Sequence, residues 1–164
     1  MIFVTLGSQK FQFNRLLKAL DEQISSNKLS NNIFAQIGFC DYKPRNFDFT
    51  NFLNHDEFTM QLRKSDIVIS HGGTGAIISS LKQEKKVIAV PRLAKYGEHV
   101  DDHQLQILEQ FKDLNLIYVC MDCSKIWEAV EAVRHIKFNK YQSNTGKIIE
   151  NIDKFIVSVI SRNI

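Results

Sequence analysis

Apolar residues along the chain fall into short unbroken runs, separated by stretches in which they recur every three or four positions. Ile2-Phe-Val-Thr-Leu6 is the first such run and predicts a buried strand that stops at Gly7. Phe13, Leu16, Leu17, Leu20 and Ile24 lie at helical spacing and predict an amphipathic helix over 13–26. After a polar loop at 27–32, Ile33-Phe-Ala-Gln-Ile37 predicts a second strand, ended by Gly38. Residues 39–54 are irregular and aromatic, with Phe47, Phe49 and Phe52, and are expected to hide one short strand. A helix over about 56–64 with Phe58 and Leu62 inward precedes a strand at Asp66–Ser70. Then come a helix over 75–83, a strand at Val87–Val90 closed by Pro91, and a polar loop to about 100. Leu105, Leu108 and Phe111 mark the next helix, and Ile117–Val119 the next strand. Asp122 or Ser124 can cap a helix with Ile126, Val130 and Val133 on one face.

Short apolar strands alternating with amphipathic helices mean βαβ units. The predicted fold class is α/β, a single Rossmann-like, doubly wound parallel sheet forming one domain over 1–164. Such sheets bind ligands beyond the carboxyl ends of their strands. Functional residues are therefore expected at 7–10, 38–44, 71–75 and 91–104.

Composition narrows the class. The chain has 164 residues, 44% hydrophobic and 24% charged, with 7 Gly and 2 Pro, which excludes disordered and collagen-like chains. The charge balance, 21 − 18 = +3, is too weak to point to nucleic acid. Cys40, Cys120 and Cys123 are odd in number and suggest no disulfide framework, so a reducing, cytoplasmic setting is expected. Cys120-x-x-Cys123 lacks the second pair that a zinc site needs, and is read as small apolar side chains at a strand end. No run approaches the roughly 18–20 apolar residues of a membrane span, and the start of the chain does not read as a signal peptide.

Three segments carry candidate chemistry. His71-Gly-Gly-Thr-Gly75 sits between a strand and a helix. There Gly72, Gly73 and Gly75 let backbone N–H groups approach an anion, and the helix N-terminus adds partial positive charge. A diphosphate fits this arrangement, and so does a plain tight turn with a helix cap. The segment is neither a Walker A loop nor the dinucleotide fingerprint. Gly7-Ser8-Gln9 ends the first strand in similar style, with hydroxyl and amide groups to offer. The third segment packs Arg92, Lys95, Glu98, His99, Asp101, Asp102, His103 and Gln104 into one strand-to-helix connection. Acids and amides there suit sugar hydroxyls, which want donors and acceptors alike. An exposed charged loop is the simpler reading. His99 and His103 stand four apart, but no third ligand accompanies them, so no metal is expected. The tail carries Ile148, Ile149, Ile152, Phe155, Ile156, Val159 and Ile160 on one stripe of a helix predicted over about 146–161. That stripe suits either its own sheet or a partner.

Taken together, Val4-Thr-Leu-Gly-Ser8, Ser65–Gly75 and Pro91-Arg92 with Gly97-Glu-His-Val-Asp-Asp-His-Gln104 resemble the carboxy-terminal, donor-binding half of a GT-B glycosyltransferase of the family 28 C-terminal type. More closely, the chain resembles small stand-alone subunits of split enzymes. These are the N-acetylglucosaminyltransferase subunit of dolichol-linked oligosaccharide assembly and the PssE-type subunit of exopolysaccharide and capsule synthesis.

The resemblance implies a UDP-sugar donor and no other cofactor. Gly7, Ser8, Gln9 and Gly72–Gly75, with His71 and Thr74, would face the diphosphate. Arg92, Glu98, His99, Asp102, His103 and Gln104 would meet the sugar, and the uracil would lie near 38–44. Ser79 falls where family members commonly carry a ribose-binding acid. Glu98 and His99 are the local candidates for a general base, which GT-B enzymes usually take from the other half. A membrane-anchored acceptor-binding subunit and a lipid-diphosphate-linked sugar acceptor are the expected partners, with the chain peripheral at the cytoplasmic face. Gly97-Glu-His-Val leans the donor toward a hexose such as galactose, with N-acetylglucosamine as the alternative. A non-catalytic nucleotide-binding module is the reading from another class.

Overall fold

The computed structural model describes residues 1–101, 103–144, 149 and 152–154. Six parallel strands form one sheet: β1 (Ile2–Thr5), β2 (Ile33–Gln36), β3 (Asp48–Thr50), β4 (Ile67–Ser70), β5 (Lys86–Ala89) and β6 (Tyr118–Val119). Their order is β3-β2-β1-β4-β5-β6, so the sheet reverses its winding between β1 and β4. The helices are α1 (Asn14–Ser25), α2 (His55–Lys64), α3 (Thr74–Lys82), α4 (His103–Asp113) and α5 (Ile126–His135).

Both sheet faces are covered, and this explains why the strands read as unbroken apolar runs. Side chains alternate between faces along each strand. Val4, paired with Ala35 and Ile69, points with them and Ile88 toward α1 and α5, meeting Leu16, Leu20, Ile126 and Val130. On the opposite face Phe3 and Val68 meet Leu62 of α2, while Val87 and Ala89 pack with Ile77 of α3 and Leu108 of α4. A buried Leu or Ile side chain contributes about 1.5–3 kcal/mol. The alternating strand residues therefore fix which face each helix covers.

Helix ends follow local chemistry. Asn54 caps α2 by accepting from the backbone N–H groups of Asp56 and Glu57, and Glu57 returns a bond to the Asn54 N–H at 2.8 Å. The short strand hidden in 39–54 is β3. The polar loop after β5 is more ordered than its composition suggests, with a 3-10 turn at Ala94–Tyr96. Among the described residues no helix is long and apolar enough to cross a membrane. Of the terminal helix expected over 146–161, only 149 and 152–154 are described, and these are helical.

Candidate functional site

β1 and β4 are neighbours that lead in opposite winding directions, so the loops after them diverge and leave a cleft at the carboxyl edge. Its volume is about 340 Å³, and Gly7, Ser8, Gln9, His71, Gly73, Gly75, Ser79 and Gln104 are among the residues that line it. Thr5, Gln36, Phe58 and Ala76 complete the wall. Gly7 has φ +74° and Gly72 φ +93°, the left-handed region that favours glycine. Gly73 precedes α3, and no side chain caps that helix, so its first-turn N–H groups are left for a ligand.

His71 organises the turn. Its Nδ1–H donates to the Thr5 carbonyl at 3.1 Å, and its backbone N–H donates to the same oxygen at 3.2 Å. The ring lies between Gly7 and Gly73. A Cβ on Gly7 would stand 2.7 Å from the ring Cε1, and a Cβ on Gly73 would overlap Nε2. These two glycines are thus required by the imidazole as well as open to an anion. Gly75 differs, since nothing lies within 4 Å of a Cβ placed there. Burial, with the nearby positive charge of Arg92 second, pushes the His71 pKa down to about 4. The imidazole is therefore neutral at pH 7, with Nε2 able to accept a hydrogen bond. Among the described residues the cleft wall contains neither a permanent charge nor a carboxylate. It offers backbone N–H groups, hydroxyls, amides and a helix N-terminus, a set suited to binding an anion through dipoles. Gln104 adds a buried Oε1 with no hydrogen-bond partner among the described residues.

The profile of the glycosyltransferase family 28 C-terminal domain matches residues 1–158. The chain belongs to this family. It is 36% identical over 85 residues to the UDP-N-acetylglucosamine transferase subunit ALG13 of Candida glabrata, covering 51% of this chain and 41% of that protein. Among solved structures, it superposes on the glycotransferase of kitacinnamycin with TM-score 0.61 and 18% identity, over 82% of this chain and 35% of that one. On MurG of Acinetobacter baumannii the TM-score is 0.57 at 18% identity, over 92% of this chain and 49% of that one. The sheet is thus the Rossmann-like half of a GT-B fold. The chain spans about two fifths of the length of the first curated relatives it matches, 41% and 42%.

As a family 28 C-terminal domain, the chain departs from the expected site in its third segment. Glu98 is fully buried and accepts from Arg15 Nε at 3.1 Å, from Arg15 Nη2 at 2.9 Å and from the Leu93 N–H at 3.1 Å. Its carboxylate is spent inside the domain, which removes it both as a sugar contact and as a local base. Arg92 is 1% exposed and lies beneath the first loop rather than in the cleft wall. His99 turns its Nδ1 toward Asp101, its ring lies tilted against Phe11 at 5.3 Å between centroids, and it does not line the cleft either. Gly72 and Thr74 belong to the His71–Gly75 turn without lining the cleft. Asp102 and the side chain of His103 lie outside the described residues.

A larger cavity, about 810 Å³, opens between α1 and the loops after β5 and β6, beside Arg15, Lys18, Tyr96 and Asp122. It lies away from the β1–β4 reversal, and Arg15 at its base is already committed to Glu98, to Cys123 Sγ at 2.9 Å and to the face of Tyr96. Burial pushes the thiols of Cys120 and Cys123 up to about 11 and 12. They are therefore protonated at neutral pH and are poor metal ligands or nucleophiles. Among the described residues no group of three or more His, Cys, Asp or Glu could hold a metal.

The residues missed by sequence reasoning are Thr5 and Gln36, together with Phe58 and Ala76. Thr5 and Gln36 are polar side chains closing the apolar strands β1 and β2, a signal that was available.

Proposed function

We propose that this domain is the donor-binding part of a two-component UDP-N-acetylglucosamine transferase. The observation that carries the proposal is the uncharged cleft at the β1–β4 reversal, where the Gly7–Gln9 loop meets the free N-terminus of α3. The donor diphosphate lies there, across Ser8, Gln9 and the first turn of α3, with the base toward 38–44. On sugar transfer, negative charge grows on the leaving diphosphate. Backbone N–H groups and a helix N-terminus fixed in place stabilise that charge without a metal. The neutral His71 accepts through Nε2 and does not serve as a strong base at pH 7.

The relatives bearing the name UDP-N-acetylglucosamine transferase subunit support N-acetylglucosamine as the donor sugar. The expected galactose donor finds no support among these relatives. We assign the general base to a second subunit, as the resemblance to GT-B enzymes implies. That subunit would cover the carboxyl edge. Phe39, Phe52, Tyr96, Val100 and Met121, all exposed, follow four different strands and ring this edge. In a membrane-anchored partner, this arrangement would hold the domain at a cytoplasmic membrane face against a lipid-linked acceptor.

Titration calorimetry of the chain with UDP-N-acetylglucosamine, UDP-galactose and UDP tests the proposal. Saturable binding with N-acetylglucosamine preferred supports it. Binding of UDP-galactose in preference to UDP-N-acetylglucosamine, or of no nucleotide at all, rejects it.

A further inference from the structure

Arg92 is an arginine with almost no solvent contact and no ion pair among the described residues. It follows β5, is 1% exposed, and its Nη2 donates to the Leu6 carbonyl at 2.6 Å and the Phe11 carbonyl at 3.1 Å. Those two carbonyls bracket the loop that carries Gly7, Ser8 and Gln9. The nearby carboxylate of Glu98 is taken by Arg15 and the Leu93 N–H. The Phe13 ring lies 5.9 Å from the guanidinium carbon. Nε and Nη1 have no hydrogen-bond partner among the described residues.

Burying a cation this way is costly, and each unpaired N–H adds to the cost. Two structural carbonyl contacts could have been made by a neutral donor such as glutamine. What the guanidinium adds is positive charge directly behind the loop, in surroundings where water screens it little. That charge is felt at the cleft wall, since it contributes to keeping the His71 imidazole unprotonated.

We propose that Arg92 is a positioning residue for the donor diphosphate: it draws the two ends of the Gly7–Phe11 loop onto one guanidinium and places a buried positive charge behind the loop's cleft-facing side. The inference rests on the donor cleft proposed above. It explains how a wall without charged side chains among the described residues holds an anionic diphosphate. The diphosphate meets dipoles at the surface, and a full charge one layer deeper is its counter-ion.

The experiment uses the whole chain. In wild-type protein with nitrogen-labelled arginine, the Arg92 Nε resonance is followed while UDP or uridine is added. A shift with UDP and none with uridine is expected. In parallel, Arg92→Met should weaken UDP binding by at least about tenfold while changing uridine binding less than about twofold, and Arg92→Lys should restore most of the loss. The His71 pKa, read from its imidazole resonances, should rise in Arg92→Met. The other groups facing that ring, the Thr5 carbonyl and His99, are unchanged there. A purely structural arginine would lower UDP and uridine binding equally, would leave Nε unmoved at saturating UDP, and either result overturns the proposal. If Arg92→Met does not fold, the wild-type resonance decides alone. Failure of wild-type protein to bind UDP anywhere rejects the donor cleft itself, a different outcome from binding that Arg92 does not sense.

Discussion

The imidazole of His71 fills the space that a side chain on Gly73 would occupy, and the same ring stands 2.7 Å from where a Cβ on Gly7 would be. One buried ring thereby ties the loop after β1 to the turn after β4, the two halves of the cleft. Its anchor is the Thr5 carbonyl, 3.1 Å from Nδ1.

The glycines of this turn should separate under substitution. Gly73→Ala forces the imidazole out of place, losing its Thr5 bond and overpacking the turn, at about 1–3 kcal/mol. Gly75→Ala meets nothing within 4 Å and replaces a helical glycine, so it should be neutral or stabilising by up to ~1 kcal/mol. Its methyl stands at the cleft, so UDP affinity should nonetheless fall. Thermal melts and calorimetry on both variants check the pattern. Equal destabilisation by the two substitutions would contradict it.

His71 also makes stability depend on pH. Its folded-state pKa, about 4, lies below the unfolded value of 6.5. The unfolded chain therefore binds the proton more readily, and the stabilisation is complete above pH 6.5 and lost as pH falls toward 4. The span corresponds to about 3 kcal/mol. His71→Gln should flatten the dependence of denaturant midpoint on pH between about 7 and 4. An unchanged slope would place the imidazole outside this linkage.

The ion pair between Arg15 and Glu98 should be asymmetric. Glu98 has 1% of its side chain exposed against 23% for Arg15. Arg15→Met strands a carboxylate in the interior and should cost about 3–5 kcal/mol. Glu98→Gln leaves an arginine that can turn toward water and should cost less. Neither residue lines the donor cleft, so folded Glu98→Gln protein should keep its UDP binding, with any change a gain because a negative charge near Arg92 is removed. A larger loss for Glu98→Gln than for Arg15→Met in urea titrations would refute the assignment.

The buried, protonated thiols give a simple chemical test. Cys40, Cys120 and Cys123 should react with a thiol reagent at neutral pH at least about a hundredfold more slowly in the native protein than in denaturant. Chelators should leave both the melting temperature and UDP binding unchanged. Loss of binding restored by a divalent metal would show a site that these residues do not make.

The strands and helices were legible because burial on both faces leaves an apolar signature, as in Ile67–Ser70, and the glycine turn could be placed from His71–Gly75 alone. The charged connection at 91–104 was not. Arg92 and Glu98 look like a solvated surface in sequence. Their burial depends on Leu6, Phe11 and Arg15, which lie 81–86 residues away and are brought close only by the sheet. That Gly7 and Gly73 serve His71 was equally hidden, since spacing along the chain cannot show which ring a glycine accommodates.

Amide chemical shifts of the whole chain during titration with UDP provide the most direct test of the donor cleft. The account predicts saturable shifts concentrated at Ser8, Gln9 and Gly73–Ala76, with little change around Arg15, Tyr96 and Asp122. Shifts centred on the larger cavity beside Arg15, with Gly73–Ala76 unmoved, would contradict it.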